Sequence, residues 1–185
     1  MTHEILFAGF GGQGVLSMGM TLAYAGLVEN KEISWMPSYG PEMRGGTANC
    51  VVVVSSKFIS SPIVTKFDVV IALNQPSIDK FEHAVRPNGI LIYDSDNILI
   101  PPSRTDITVL PVPAETEALK LGNIKVKNMV MLGALLTTSE IVHPGSVTKA
   151  LAQVLPERYH KLLAVNQKAL ERGQELVIEA ATPIV

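Results

Sequence analysis

The chain has 185 residues, of which 47% are hydrophobic and only 17% charged, a balance that excludes disorder as its dominant state. Lys and Arg total 15 against 17 Asp and Glu, a formal charge of −2, so there is no electrostatic case for nucleic acid or an anionic membrane as partner. Soluble domains usually carry about 25% charged residues; the deficit here points to a surface partly covered by another protein. Every long apolar stretch is broken by Gly or Pro, so no transmembrane span is expected. Met1-Thr2-His3-Glu4 lacks the basic start of a signal peptide, and no repeat or linker interrupts the sequence. The expectation is a cytoplasmic chain organised as one domain over 1–185.

The short apolar run Glu4–Ala8, ending at a glycine, predicts a buried first strand. Val15–Glu29 reads as a helix, with Leu16, Met20, Ala23 and Leu27 on one stripe that should face the core. Ile33–Met36 is a second strand, stopped by Pro37. The stretch Pro37–Gly46 holds two prolines and three glycines and should be a shaped loop without regular structure.

Ala48–Val54 is β-branched and strand-like. Val69–Leu73 is another buried strand, followed by Asn74-Gln75-Pro76-Ser77 and a helix to about Val85. Pro87-Asn88-Gly89 turns the chain into the strand Ile90–Tyr93, and Ile107–Val112 is stopped by Pro113. Helices follow over about Ala114–Leu121, Asn128–Ser139, Ser146–Ala152 and Pro156–Ala180, the last with Tyr159, Leu162, Leu163, Asn166, Leu170 and Gly173 on one face. Strands alternating with helices predict an α/β, doubly wound, Rossmann-like and mostly parallel sheet covered on both faces. Ala48–Val54 follows its neighbour without a helix and should run antiparallel, and the C-terminal helices are extra.

The sharpest motif is Gly9-Phe10-Gly11-Gly12-Gln13-Gly14, placed between a strand and a helix as G-x-G-x-x-G requires. Glycines allow a tight turn and close approach, and the helix start offers unpaired N–H groups to a phosphate or carboxylate. A dinucleotide site also needs an acid at the end of the second strand. Here that strand runs into Pro37-Ser38-Tyr39, and Glu29 and Glu32 precede it. That weakens the dinucleotide reading, and strand–helix packing, another phosphate or a partner contact stand beside it as readings of the turn.

In a parallel sheet, Tyr39–Gly46 leaves the same carboxyl edge as the glycine turn, together with Asn74-Gln75 and Asp94-Ser95-Asp96, and ligands bind in that crevice. Arg44, flanked by Gly45 and Gly46, suits a phosphate or carboxylate; pairing with Glu42 to close the loop explains it equally well. Tyr39, Met43 and Arg44 are also types favoured at interfaces. Asp94 and Asp96 fit Mg²⁺, ribose or plain turn chemistry.

Cys50, the single cysteine, lies in an apolar run and reads as a buried structural thiol. It cannot by itself form a disulfide or hold an iron–sulfur cluster. His3, His83, His143 and His160 have no metal spacing, so no metal site is expected. Met18, Met20, Met129 and Met131 read as core filling. Ser17 lacks a G-x-S-x-G elbow, and no nucleophile–base–orienter set can be assembled, so no catalytic residue is expected on this chain.

Gly9-Phe-Gly-Gly-Gln-Gly14-Val-Leu and Pro37-Ser-Tyr-Gly-Pro-Glu-Met-Arg-Gly-Gly46-Thr-Ala-Asn-Cys50 together resemble the gamma subunit of the 2-oxoacid:ferredoxin oxidoreductases. Phe67-Asp-Val-Val-Ile-Ala72 and Gly89-Ile-Leu-Ile-Tyr-Asp94 also look like that subunit. The resemblance implies a complex in which alpha, beta and delta-type subunits carry thiamine diphosphate, Mg and iron–sulfur clusters. Such a complex decarboxylates a 2-oxoacid, reduces ferredoxin and passes the acyl group to coenzyme A. This chain has no Gly-Asp-Gly thiamine signature, so it resembles an accessory piece that holds no cofactor alone. Its Ser-Tyr-Gly-Pro-Glu-Met-Arg-Gly-Gly loop looks most like 2-oxoglutarate-type members. The residues expected at a ligand or an interface are Gly9, Gly11, Gly12, Gln13, Gly14, Tyr39, Gly40, Glu42, Arg44, Gly45, Gly46 and Asn74. Two rival readings stand beside this one: a free-standing nucleotide-binding oxidoreductase, and a purely structural subunit.

Overall fold

A computed structural model describes residues 1–40 and 46–181. Six strands, β1 (Thr2–Phe10), β2 (Glu32–Tyr39), β3 (Thr47–Ser55), β4 (Phe67–Ala72), β5 (Val85–Asp94) and β6 (Thr108–Val112), form one sheet in the order β2-β3-β1-β4-β5-β6. The pairs β1–β4, β4–β5 and β5–β6 are parallel. β3 runs antiparallel to both β1 and β2, as its lack of a preceding helix requires. The ends Phe10, Tyr39, Ala72, Asp94 and Val112 therefore share one edge with the start of β3.

Among the described residues six α-helices accompany the sheet: α1 (Val15–Val28), α2 (Gln75–Phe81), α3 (Ala114–Lys120), α4 (Lys127–Thr138), α5 (Pro144–Val154) and α6 (Leu163–Ala181). Alternation along the strands makes two cores. Ile5, Phe7, Cys50, Val52 and Ile71 meet α1 and the C-terminal helices, whereas Leu6, Val70, Leu91 and Tyr93 meet Ile78 of α2 and Ile98 of a loop. Cover of the two faces is thus unequal, since among the described residues the second core draws on one short helix.

Four expectations are corrected. The stripe of α1 is rotated: its buried face is Val15, Met18, Leu22 and Ala25 with Gly19 and Gly26; of the expected stripe Ala23 is buried, while Leu27 is 53% exposed and Leu16 and Met20 are half-buried. The helix is apolar nearly all round, so periodicity could not choose a face. Its glycines choose, because a Cβ at Gly19 would overlap Cys50 Sγ and one at Gly26 would overlap Ile33 Cδ1.

β2 continues through Pro37 to Tyr39, with Pro37 in register with Cys50. β2 is an edge strand, where a proline disturbs no second ladder. Pro87-Asn88-Gly89 lies inside β5, where pairing jumps from Phe67–Val85 to Val69–Ile90; it is a bulge, with Asn88 at φ 62°. The final helical region is divided: Glu157–Leu162 is a 3-10 turn, Tyr159 is 42% exposed, and α6 begins at Leu163.

Cys50 is fully buried with its Sγ 3.6 Å from the Val15 carbonyl, and burial pushes its thiol up to about 12. At pH 8 its alkylation should run about a thousandfold or more slower than that of an ordinary thiol, and denaturant should restore the normal rate. Labelling by iodoacetamide checks this, and rapid labelling of the folded chain would contradict it.

Candidate active-edge cleft

The turn after β1 is built from backbone constraints. Gly12 and Gly14 sit at φ 96° and 80°, in the left-handed region open to glycine at little cost. The Gly11 N–H donates to the Gly46 carbonyl at 2.8 Å, and the Gln13 N–H to the Phe10 carbonyl at 3.1 Å. The first of these ties the turn to the start of β3. It also occupies the Gly11 N–H, which is therefore not offered to the cleft.

Gly14 is the N-cap of α1, and no side chain caps that helix. Its carbonyl accepts the Met18 N–H at 2.9 Å and lies 3.4 Å from Asn128 Nδ2, at the start of α4. Asn128 was not singled out in the sequence; it arrives 114 residues later, and no local pattern marks it.

The end of α1 opens into a cleft of about 670 Å³ between the glycine turn, α1 and the ends of β2 and β3. Leu16, Ser17 and Met20 of α1 form one wall; Trp35, Pro37 and Tyr39 of β2 form another. Met20 therefore lines the cleft instead of filling the core. The β2 residues could have been found from alternation, had the strand been carried past Pro37. No carboxylate lines the cleft among the described residues, so the ribose-binding acid of a dinucleotide site is missing there as in the sequence. What the walls offer is an apolar trough ending in a helix N-terminus, suited to a ligand with an anionic end and an apolar body.

The expected site residues separate into groups. Gly11, Gly12, Gly14, Tyr39 and Gly46 line the cleft, with Tyr39 61% exposed. Gly40 adjoins it, its N–H donating to the Thr47 carbonyl at 3.5 Å. Gly9 lies beneath, where a Cβ would meet Gln13 Oε1 at 2.7 Å and Val15 Cγ2 at 2.9 Å. Gln13 and Asn74 turn inward and bond to each other, Asn74 Nδ2 to Gln13 Oε1 at 3.3 Å. Glu42, Arg44 and Gly45, with Met43, lie outside the described residues.

Asp94 and Asp96 are engaged within the chain, Asp94 in its own turn and Asp96 at the first turn of α3. Asp94 is fully buried and accepts from Asn97 Nδ2 at 2.8 Å, with Lys127 Nζ 3.5 Å away; burial raises its pKa against the pull of Asn97 and Lys127. Asp96 accepts the Thr116 N–H at 2.7 Å and its hydroxyl at 2.9 Å. The donor set does not suit an iron–sulfur cluster, since Cys50 is the single cysteine and points into the core. Among the described residues no group of three or more His, Cys, Asp and Glu could hold a metal ion, and no helix is long and apolar enough to cross a membrane.

A sheet with one reversed strand, a glycine turn at its carboxyl edge and an extra helical layer defines a class, and the comparisons give it a family. Residues 4–176 match the model of the pyruvate ferredoxin/flavodoxin oxidoreductase family. The chain belongs to that family, and its resemblance to the gamma subunits of 2-oxoacid:ferredoxin oxidoreductases holds.

It is 41% identical over 173 residues to the ketoisovalerate oxidoreductase subunit VorA of Methanothermobacter thermautotrophicus, covering 93% of this chain and 36% of that one. It is 36% identical over 182 residues to the 2-oxoglutarate synthase subunit KorC of Methanocaldococcus jannaschii, covering 95% of this chain and 96% of that one. The chain thus spans about a third of the VorA relatives and nearly all of the KorC ones.

Among solved structures, it superimposes on the gamma subunit of a keto/oxoacid ferredoxin oxidoreductase from Geobacter sulfurreducens with a TM-score of 0.81 at 28% identity, over 96% of this chain and 99% of that one. It also matches a 2-oxoglutarate:ferredoxin oxidoreductase from Magnetococcus marinus, solved with 2-oxoglutarate, coenzyme A and succinyl-CoA bound. That TM-score is 0.87 at 26% identity, over 98% of this chain and 32% of that one.

Proposed function

We propose that the chain is the gamma-type subunit of a cytoplasmic 2-oxoacid:ferredoxin oxidoreductase, working with alpha, beta and delta-type subunits that hold thiamine diphosphate, Mg and the iron–sulfur clusters. Its own part is to receive coenzyme A, the phosphate-bearing end at the glycine turn and the start of α1, so that the thiol reaches chemistry carried elsewhere. The observation that carries this reading is the uncapped N-terminus of α1 opening into the apolar cleft. A helix end without a side-chain cap leaves donors for an anion. 2-Oxoglutarate as the 2-oxoacid is supported by the Ser38–Gly46 loop sequence and by the end-to-end match with KorC. The higher identity to VorA favours a branched-chain 2-oxoacid instead, and turnover of the two acids by the purified complex decides between them.

Ser17→Glu tests the site. A carboxylate in the first turn of α1 is favourable for the helix, so the fold is retained while an incoming phosphate is repelled. In the assembled complex the KM for coenzyme A should rise about tenfold, the loss of roughly 1.4 kcal/mol of binding, with the KM for the 2-oxoacid unchanged. No change in the coenzyme A KM would overturn the ligand reading. A complex that fails to assemble would make the cleft an interface between subunits.

A further inference from the structure

The residues of the glycine motif do not all face the cleft: Gly9 lies beneath it, and the side chain of Gln13 turns away from it. Its Oε1 accepts the Phe10 N–H at 2.6 Å and Asn74 Nδ2 at 3.3 Å, while its Nε2 donates to the Leu73 carbonyl at 3.2 Å. One amide thus joins the last residue of β1 to the residue just past β4, on the neighbouring strand. Asn74 is 5% exposed, and its other atom is engaged as well: Oδ1 accepts the Ser77 N–H at 2.9 Å and the Ser77 hydroxyl at 2.7 Å. The second of these residues therefore has two separable jobs, one toward α2 through Oδ1 and one toward Gln13 through Nδ2.

The turn that Gln13 braces is the one whose backbone faces the cleft. Phe10, Gly11, Gly12 and Gly14 all line it, and the bond from the Phe10 N–H to Gln13 Oε1 closes the four-residue loop between them from beneath. A glycine-rich loop has many conformations to lose when it orders. A brace that holds it in the binding shape removes that cost from ligand binding.

We propose that Gln13, oriented by Asn74, is a positioning residue that presets the glycine turn for the anionic end of coenzyme A without touching it. The inference rests on the cleft being the coenzyme A site.

Substitutions at Asn74 separate this role from helix capping. Ser and Asp cap a helix about as well as Asn, so Asn74→Ser and Asn74→Asp both keep the acceptor for Ser77. Asn74→Ser only deletes the Nδ2 donor. Asn74→Asp places a carboxylate oxygen against Gln13 Oε1, two acceptors facing each other, and drives the Gln13 amide out of its position.

In the assembled complex, the KM for coenzyme A should rise two- to threefold in Asn74→Ser and about tenfold in Asn74→Asp. The KM for the 2-oxoacid should stay near that of the parent in both, and the melting temperature should stay near it in Asn74→Ser, while Asn74→Asp also loses stability from its buried carboxylate. Gln13→Glu, which keeps the acceptor but loses the donor to Leu73, should fall with Asn74→Asp. Equal coenzyme A KM values in all three variants and the parent would overturn the proposal. So would a loss of stability in Asn74→Ser that parallels its KM change, since with the cap kept that would be a general loosening of the fold and not the loss of a preset turn. Ser17→Glu separates the two levels: if it raises the coenzyme A KM and the Asn74 variants do not, the site stands and the brace falls. If none of them moves it, the site reading itself has failed.

Discussion

Replacing Gly173 by Ala is expected to destabilise the chain by about 3 kcal/mol, at the upper end of overpacking costs, and Gly173→Leu should prevent folding. Gly173 of α6 lies on the backbone of α4, where a Cβ would overlap the Val130 carbonyl; reciprocally, a Cβ at Gly133 of α4 would overlap the Leu170 carbonyl. Each glycine faces main chain instead of a side chain, so no rotamer change can make room and the helices must separate. Val130, Ala134, Ala169 and Leu170 are buried at this crossing and would lose their contacts together. The sign is diagnostic, because at an exposed helical site the same Gly→Ala change stabilises by about 1 kcal/mol. Urea or thermal unfolding measures it; a shift of roughly 10 °C downward corresponds to the expected loss, and an unchanged or raised melting temperature would contradict the close crossing.

Arg172→Ala should cost about 2 kcal/mol near neutral pH, the range for a charged hydrogen bond whose partner stays behind, and its cost should fade in acid. Arg172 Nε donates to Glu117 Oε2 at 2.7 Å, and Lys120 Nζ stands 2.6 Å from Glu117 Oε1. Glu117, in α3, is 5% exposed. Burial works to raise its pKa, but the hydrogen bonds and charges of Lys120 and Arg172 outweigh it and hold the carboxyl below its ordinary value. A carboxyl held down in the folded state contributes stability above its unfolded pKa, about 4.3. That contribution is lost as pH falls through the folded value. The gap between parent and variant should therefore be full at pH 7 and close progressively below about pH 4. A gap of constant size across that range would mean that Arg172 acts through packing of its aliphatic stem, not through its charge.

These two contacts also show which parts of the molecule its sequence discloses. The first strand, the glycine turn and the start of α1 were legible because three local signals coincide there: an apolar run, a glycine cluster and a helical period. β3 was readable as antiparallel, since no crossover precedes it. The face of α1 was not, because Leu16, Met20 and Leu27 are as apolar as the residues that are buried. The choice falls to Gly19 and Gly26, whose meaning depends on Cys50 and Ile33 in other strands. Pro37 and Pro87 were each read as ending or turning the chain, yet one lies in an edge strand and the other in a bulge, distinctions that need the neighbouring strand to be known.

At the cleft, composition singled out the glycine turn but gave each of its residues the same standing. Gly12 and Gly14 line it, Gln13 turns inward to Leu73, and Asn74 caps α2. No spacing rule separates a residue that faces a ligand from one that faces the neighbouring strand. Asn128 was invisible for a different reason: its contact with Gly14 joins two helix starts at opposite ends of the sequence.

The two outermost strands, β2 and β6, each carry a proline, Pro37 and Pro111. A proline has no N–H to offer a ladder, so each outer strand is short of a donor as a template for a further strand. Among the described residues both outer strands are thus poor templates, and concentrated solutions of the chain should not thicken into fibrils by adding strand to strand. Companions must then meet it through side chains, on surfaces whose shape and chemistry are particular to it, and not through the backbone ladder that any extended peptide can offer.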